Sequence, residues 1–236
     1  MTAITSPVRT QWIDIASGFA AYLALPPAGR GPGLVLFQEI FGVNEHIRAV
    51  AEQYALDGFV VLAPDVFWRQ APRVELGYVG AERDRAIALM QGYAGEQALS
   101  DIAASVKALR ARGEVGDKAK IGAFGYCMGG RLAYLAAATT DVDAAVAFYG
   151  GGIHAQLERA AAIRCPVQFH YAEHDDNIAL AAVDKVRAAM AGKAAEVHVY
   201  PGAMHGFNCW ARASYHAPSA ALAHGRATAF LAAALY

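Results

Sequence analysis

Two kinds of segment alternate along this chain. Short, continuous strand-like runs recur at Gly33–Gln38, Phe59–Ala63, Lys120–Phe124, Ala144–Phe148, Val167–Tyr171 and Glu196–Tyr200. Runs of this kind with little polar alternation suit strands buried on both faces, as in a parallel sheet. Between them lie stretches with helical spacing at Glu45–Leu56, Ala81–Met90, Gln97–Arg112, Met128–Ala138 and Leu180–Met190, with a terminal helix from about Ser219. Gly113 and Gly116 close the third of these. An opening hairpin is expected over Gln11–Leu25, turning at Ser17-Gly18. Strands alternating with helices predict an α/β domain with a mostly parallel sheet and helices on both faces. Phe67–Val79, which contains Pro72 and Gly77, has little periodicity and is expected to be a loop or a cap over a site. There is no internal repeat and no Pro- or Ser-rich linker, so residues 1–236 read as a single domain.

Composition narrows the function classes. The chain is 56% hydrophobic, and its 20 basic residues nearly balance its 21 acidic ones. No basic run suggests a nucleic-acid partner, and no apolar stretch reaches membrane-spanning length. The alanine-rich end is broken by His224, Gly225 and Arg226, as in a packed amphipathic helix. No basic-plus-apolar leader is expected at Met1–Thr10. Cys127, Cys165 and Cys209 are an odd set without metal-ligand spacing, which predicts a reducing, cytoplasmic setting and no metal.

The chemistry concentrates at Lys120–Gly130, read as a strand, a tight turn and a helix. It contains Gly125-Tyr126-Cys127-Met128-Gly129, the G-x-nucleophile-x-G pattern of an α/β-hydrolase elbow with cysteine as the nucleophile. Small residues either side allow a strained turn that presents the central side chain above the sheet edge. A helix N-terminus there favours a thiolate. The bland alternative is a small buried cysteine in a Gly-rich turn. Asp175 follows Val167–Tyr171, and His205 follows Glu196–Tyr200. The order nucleophile, acid, histidine, each after a successive strand, is that of α/β-hydrolase triads. An imidazole takes the thiol proton, and a carboxylate fixes its tautomer. Asp176 competes with Asp175 for the acid role.

Gln38-Glu39-Ile40-Phe41-Gly42-Val43-Asn44, Gly125-Tyr126-Cys127-Met128-Gly129-Gly130, Pro64-Asp65 with Arg69-Gln70-Ala71-Pro72, and His205-Gly206-Phe207 together resemble dienelactone hydrolases (carboxymethylenebutenolidases) over nearly the whole chain. The resemblance implies an α/β-hydrolase fold and a Cys127, Asp175 and His205 triad. It implies that Glu39 contacts the resting cysteine and helps convert it to thiolate. An alternative for Glu39 is a salt bridge with Arg48. Oxyanion-hole amides fall at Ile40 and Met128. Of the two arginines that hold the substrate carboxylate, one falls on Arg85, for which a solvated helix position is the alternative. The other falls on Cys209, with Arg212 nearby as a substitute. Tyr126, Phe41 and Phe207 are candidate pocket residues, as are Trp68 and Trp210. The expected activity is opening of activated lactones or esters through a thioester on Cys127, by a monomer needing no cofactor. A broader carboxylesterase or thioesterase is the alternative.

Overall fold

The computed structural model of the chain describes residues 7–93, 95–116 and 118–236. Eight strands form one sheet in the order β1-β2-β4-β3-β5-β6-β7-β8. The hairpin β1 (Arg9–Ala16) and β2 (Phe19–Leu25) is antiparallel and turns at Gly18, whose φ is +76°. β2 pairs antiparallel with β4 (Val60–Pro64). From β4 onward every pairing is parallel, through β3 (Gly33–Phe37), β5 (Ile121–Tyr126), β6 (Ala144–Phe148), β7 (Val167–His174) and β8 (Ala195–Met204). β3, β5 and β6 are buried along their whole length, as their unbroken apolar runs require.

The helices are α1 (Glu45–Leu56), α2 (Gly80–Gln91), α3 (Gly95–Arg110), α4 (Met128–Thr139), α5 (Leu180–Ala189) and α6 (Ala217–Leu235). Asn44 caps α1, its side chain accepting from the Ile47 N–H at 3.2 Å. α1 meets α6 through Tyr54 and His224, with ring centroids 5.3 Å apart. Among the described residues no helix is long and apolar enough to cross a membrane.

Two expectations change. β7 and β8 run past Tyr171 and Tyr200 to His174 and Met204, with a register shift between Ala172 and His174. This extension carries Asp175 and His205 to adjacent strand ends. The segment 67–79 is a loop, but it is no cap. Buried Phe67, Val74 and Leu76 pin it to the core. The Asp65 carboxylate accepts from the Phe67 and Arg73 N–H groups, and Gly42 bridges Glu75.

Candidate active site

Glu39, Cys127, Asp175 and His205 all lie just beyond the carboxyl ends of strands, after β3, β5, β7 and β8 respectively. Open α/β sheets place their sites along this edge. Cys127 sits between β5 and α4 with φ +57° and ψ −117°. A non-glycine residue adopts such a backbone only when its surroundings impose it. Here its N–H donates to the Phe148 carbonyl at 3.0 Å, and its carbonyl accepts from Gly130 and Arg131. The flanking glycines are required by contact. A Cβ on Gly129 would overlap the Phe37 and Gln38 carbonyls, and one on Gly125 the carbonyl of Gly129. The turn therefore packs backbone against backbone and leaves the Cys127 side chain as its projecting group.

His205 Nδ1 lies 2.8 Å from Asp175 Oδ2. The other Asp175 oxygen accepts from the Asn177 and Ile178 N–H groups at 2.8 and 3.1 Å. The Asp175 side chain is wholly buried, whereas Asp176 is exposed. Burial works against a cation on His205. Hydrogen bonds to Asp175 and Cys127, and the charges of both, outweigh it and push the imidazole up to about 10. The Tyr149 ring stands edge-on to His205 at 5.0 Å, on a residue with φ +36°.

Glu39 is 1% exposed. Its Oε1 accepts from Arg212 Nη1 at 3.1 Å, and its Oε2, fully buried, has no partner among the described residues. Burial raises its pKa, opposed by the charges of Arg212 and His205. Its ion-pair partner is thus Arg212; Arg48 instead pairs with Glu75 at 2.7 Å. The Glu39–Cys127 contact implied by the resemblance is not among the hydrogen bonds of the described residues. Beside Glu39 lie His46 and Cys209. Burial, then the Arg212 charge, pushes His46 down to about 4, so the imidazole is neutral.

A cleft of about 390 Å³ opens over Cys127 and His205. Ile40 and Met128 line it, and among the described residues neither backbone N–H has an intramolecular acceptor. Phe41 and Arg212 also line it. Five pocket expectations need correcting. Arg85 is exposed and outside the lining, because α2 turns Arg83, Ile87 and Met90 toward the cleft, at positions i, i+4 and i+7. Tyr126 is buried beneath the elbow, stacked on Phe148 at 4.6 Å. Phe207 is core, packed between Tyr149 and Tyr200 at 5.4 and 5.0 Å. Trp68 stacks on Phe19, and Trp210 packs against His46, so neither lines the cleft. Sequence reading missed Arg83 and Arg131. The place of Arg131 one residue after the elbow glycines was an available signal, whereas the weak apolar patterning of α2 gave none for Arg83.

This architecture is shared. The model of the dienelactone hydrolase family matches residues 19–235. A provisionally assigned carboxymethylenebutenolidase of Azospirillum brasilense is 37% identical over 215 residues, covering 90% of this chain and 92% of that protein. The carboxymethylenebutenolidase of Pseudomonas putida is 33% identical over 216 residues, 91% of each. A crystal structure of a provisionally assigned dienelactone hydrolase from Klebsiella pneumoniae superposes with TM-score 0.83 at 31% identity, covering 95% of this chain and 98% of that one. With an eight-stranded, mostly parallel sheet of α/β-hydrolase type and a match across nearly its whole length, the chain belongs to the dienelactone hydrolase family and is a hydrolase of ester or lactone bonds.

Proposed function

We propose that the chain opens activated enol-lactones of the dienelactone type through a covalent thioester on Cys127. The observation that carries this reading is the alignment of Cys127, on its strained turn, with the His205–Asp175 pair. His205 takes the Cys127 proton, and Asp175 stabilises the resulting imidazolium. The thiolate attacks the lactone carbonyl, and the Ile40 and Met128 N–H groups receive the oxyanion. Two such donors lower the barrier by several kcal/mol, roughly 3–4 for each in well-aligned sites. Collapse of the tetrahedral adduct breaks the ring C–O bond. The leaving oxygen departs as an enolate, a better leaving group than an alkoxide, and takes the His205 proton. Water, deprotonated by His205, then cleaves the thioester and restores the thiol.

The substrate carboxylate finds two cations without carboxylate partners among the described residues, Arg83 and Arg131. Arg212 is already neutralised by Glu39, so its part is to hold that acid beside the site. The apolar lining of Ile40, Phe41, Ile87, Met90 and Met128 favours, as a second reading, a broader esterase acting on neutral aryl esters. Three free cysteines suit a reducing cytoplasmic setting.

The test is turnover of a carboxylated dienelactone and a neutral aryl ester, with intact-mass detection of the acyl-enzyme. Cys127→Ala is expected to abolish turnover of both and to lose the acyl adduct. Retention of more than about a thousandth of the activity would sink the nucleophile assignment. A faster rate on the neutral ester would favour the second reading.

A further inference from the structure

Behind the catalytic edge, three segments distant in sequence converge. Glu39 follows β3, His46 lies in the first turn of α1, and Cys209 lies in the loop after His205. One ligand atom from each, a carboxylate oxygen, an imidazole nitrogen and the sulfur, lies within 4.8 Å of the others. All three residues are buried, and His46 is only 3% exposed. The catalytic cycle leaves this cluster unexplained, since neither His46 nor Cys209 has a part in it.

The bonding within the cluster is incomplete. Neither His46 nitrogen has a partner among the described residues, and neither has Glu39 Oε2. The Cys209 thiol donates to the Tyr78 hydroxyl over a long 3.5 Å and also interacts with Glu39 and the Ala211 backbone, so of the three residues His46 is the one left wholly unpaired among the described residues. Leaving buried polar groups unpaired is costly, because burial removes the water that would otherwise bond them. Nitrogen, sulfur and carboxylate oxygen form a donor set suited to a borderline-soft divalent cation.

We propose that Glu39, His46 and Cys209 form a binding site for a divalent cation of the zinc class. Zinc bonds of about 2.0–2.3 Å place tetrahedral N, O and S ligand atoms roughly 3.3–3.6 Å apart, so the cluster closes by at most about 1.5 Å. Binding releases the Cys209 proton to solvent. The charges of Glu39 and the Cys209 thiolate offset the dication, and the Arg212 guanidinium paired with Glu39 leaves one positive charge over. The cluster adjoins a recess of about 450 Å³ lined by His46, Trp210, Tyr78, Glu45 and Glu75, of which the Glu45 carboxylate has no ion-pair partner among the described residues. Zinc on Glu39 competes with Arg212 for the same carboxylate. Resting on the role that the resemblance implies for Glu39 in forming the Cys127 thiolate, metal binding slows turnover.

The metal itself is the probe. Zinc chloride is titrated calorimetrically into Cys127→Ala protein, so that the catalytic thiol cannot act as a ligand, and bound zinc is counted after desalting. One zinc per chain is expected. His46→Phe and Cys209→Ala, each added to that background, should weaken binding at least about tenfold. Cobalt should give a thiolate charge-transfer band that Cys209→Ala removes. Cys209→Ser, close in volume, replaces Cys209→Ala if the latter misfolds. Failure to retain zinc, or equal affinity in the His46 and Cys209 variants, overturns the site. In protein with Cys127 intact, zinc should inhibit reversibly by chelation, and Cys209→Ala should resist. Stoichiometric zinc with undiminished turnover overturns the consequence for Glu39 while leaving the site, and the Cys127 chemistry is judged separately by the acyl adduct.

Discussion

Two buried carboxylates act on the same histidine, His205, and their surroundings differ. Asp175 uses both oxygens, one on His205 and one on the Asn177 and Ile178 N–H groups. Glu39 uses one oxygen, on Arg212, and leaves the other buried and empty. The first is a fixed orienter, since any movement of Asp175 breaks three hydrogen bonds. The second is a charge held in place by its neighbours, and burial pulls it toward the protonated form. The proposed mechanism asks for one unchanging imidazole geometry, which the bonding of Asp175 suits, and the resemblance asks for one adaptable negative charge, which the bonding of Glu39 suits.

The sharpest way to break the contrast is Asp175→Asn. An amide can donate to the wrong imidazole nitrogen and cannot stabilise the imidazolium. The expected outcome is a fall in kcat of about 10⁴-fold with KM little changed. A loss under tenfold would mean that His205 is positioned by Tyr149 and burial instead.

Glu39→Gln should act less on rate and more on pH dependence. Losing one charge-assisted interaction is worth about 1.5–3 kcal/mol, so kcat/KM should fall about 10- to 100-fold. Burial raises Glu39 above its ordinary 4.5, so the native state holds this proton more readily than the unfolded chain. The group therefore takes stability away as pH rises from about 4.5 through its folded pKa, and takes none below that window. Glu39→Gln should flatten the dependence of Tm on pH over that window. An unaltered Tm profile in Glu39→Gln would show that Arg212 fully compensates the buried charge.

The same asymmetry marks what was legible in the sequence. Asp175, His205 and Cys127 stand at strand ends in a fixed chain order, and local spacing around Gly125 and Gly129 reveals the turn. The strand pattern gave the sheet for the same reason: burial on both faces writes itself into continuous apolar runs. Side chains that matter through long-range contact left no such trace. Arg212 reaches Glu39 across 173 positions. The choice of Arg83 over Arg85 depended on which face α2 turns inward, and the weak apolar patterning of that helix did not show it. Tyr126 and Phe207 stood beside functional residues in sequence, but their rings fill the core.

A third prediction follows from Glu39 occupying Arg212. If that pair leaves Arg83 and Arg131 to hold a substrate carboxylate, Arg83→Ala and Arg131→Ala should each raise KM for a carboxylated lactone about three- to tenfold. The neutral ester should be unaffected. Arg83 is exposed, so solvent screening keeps its effect at the lower end. Arg212→Ala should instead lower the rate for both substrates, as Glu39 loses its counter-ion. A charge-selective loss in Arg212→Ala alone would return the carboxylate to Arg212.

The smallest effect is expected one residue from the largest. Asp176 is adjacent to Asp175 and chemically identical, but it is exposed and has no hydrogen bond to His205. Asp176→Asn should change kcat by no more than about twofold, as surface substitutions away from bonded networks do. Arg85→Ala should be as mild for both substrates, because Arg85 lies outside the cleft lining. The Asp176 variant tests the premise of the contrast. Both aspartates follow the same strand, so position in sequence predicts similar losses. The bonding of each oxygen predicts losses about a thousandfold or more apart. Comparable losses in Asp175→Asn and Asp176→Asn would mean that general negative charge near His205, and not a bonded orienting carboxylate, supports the imidazolium.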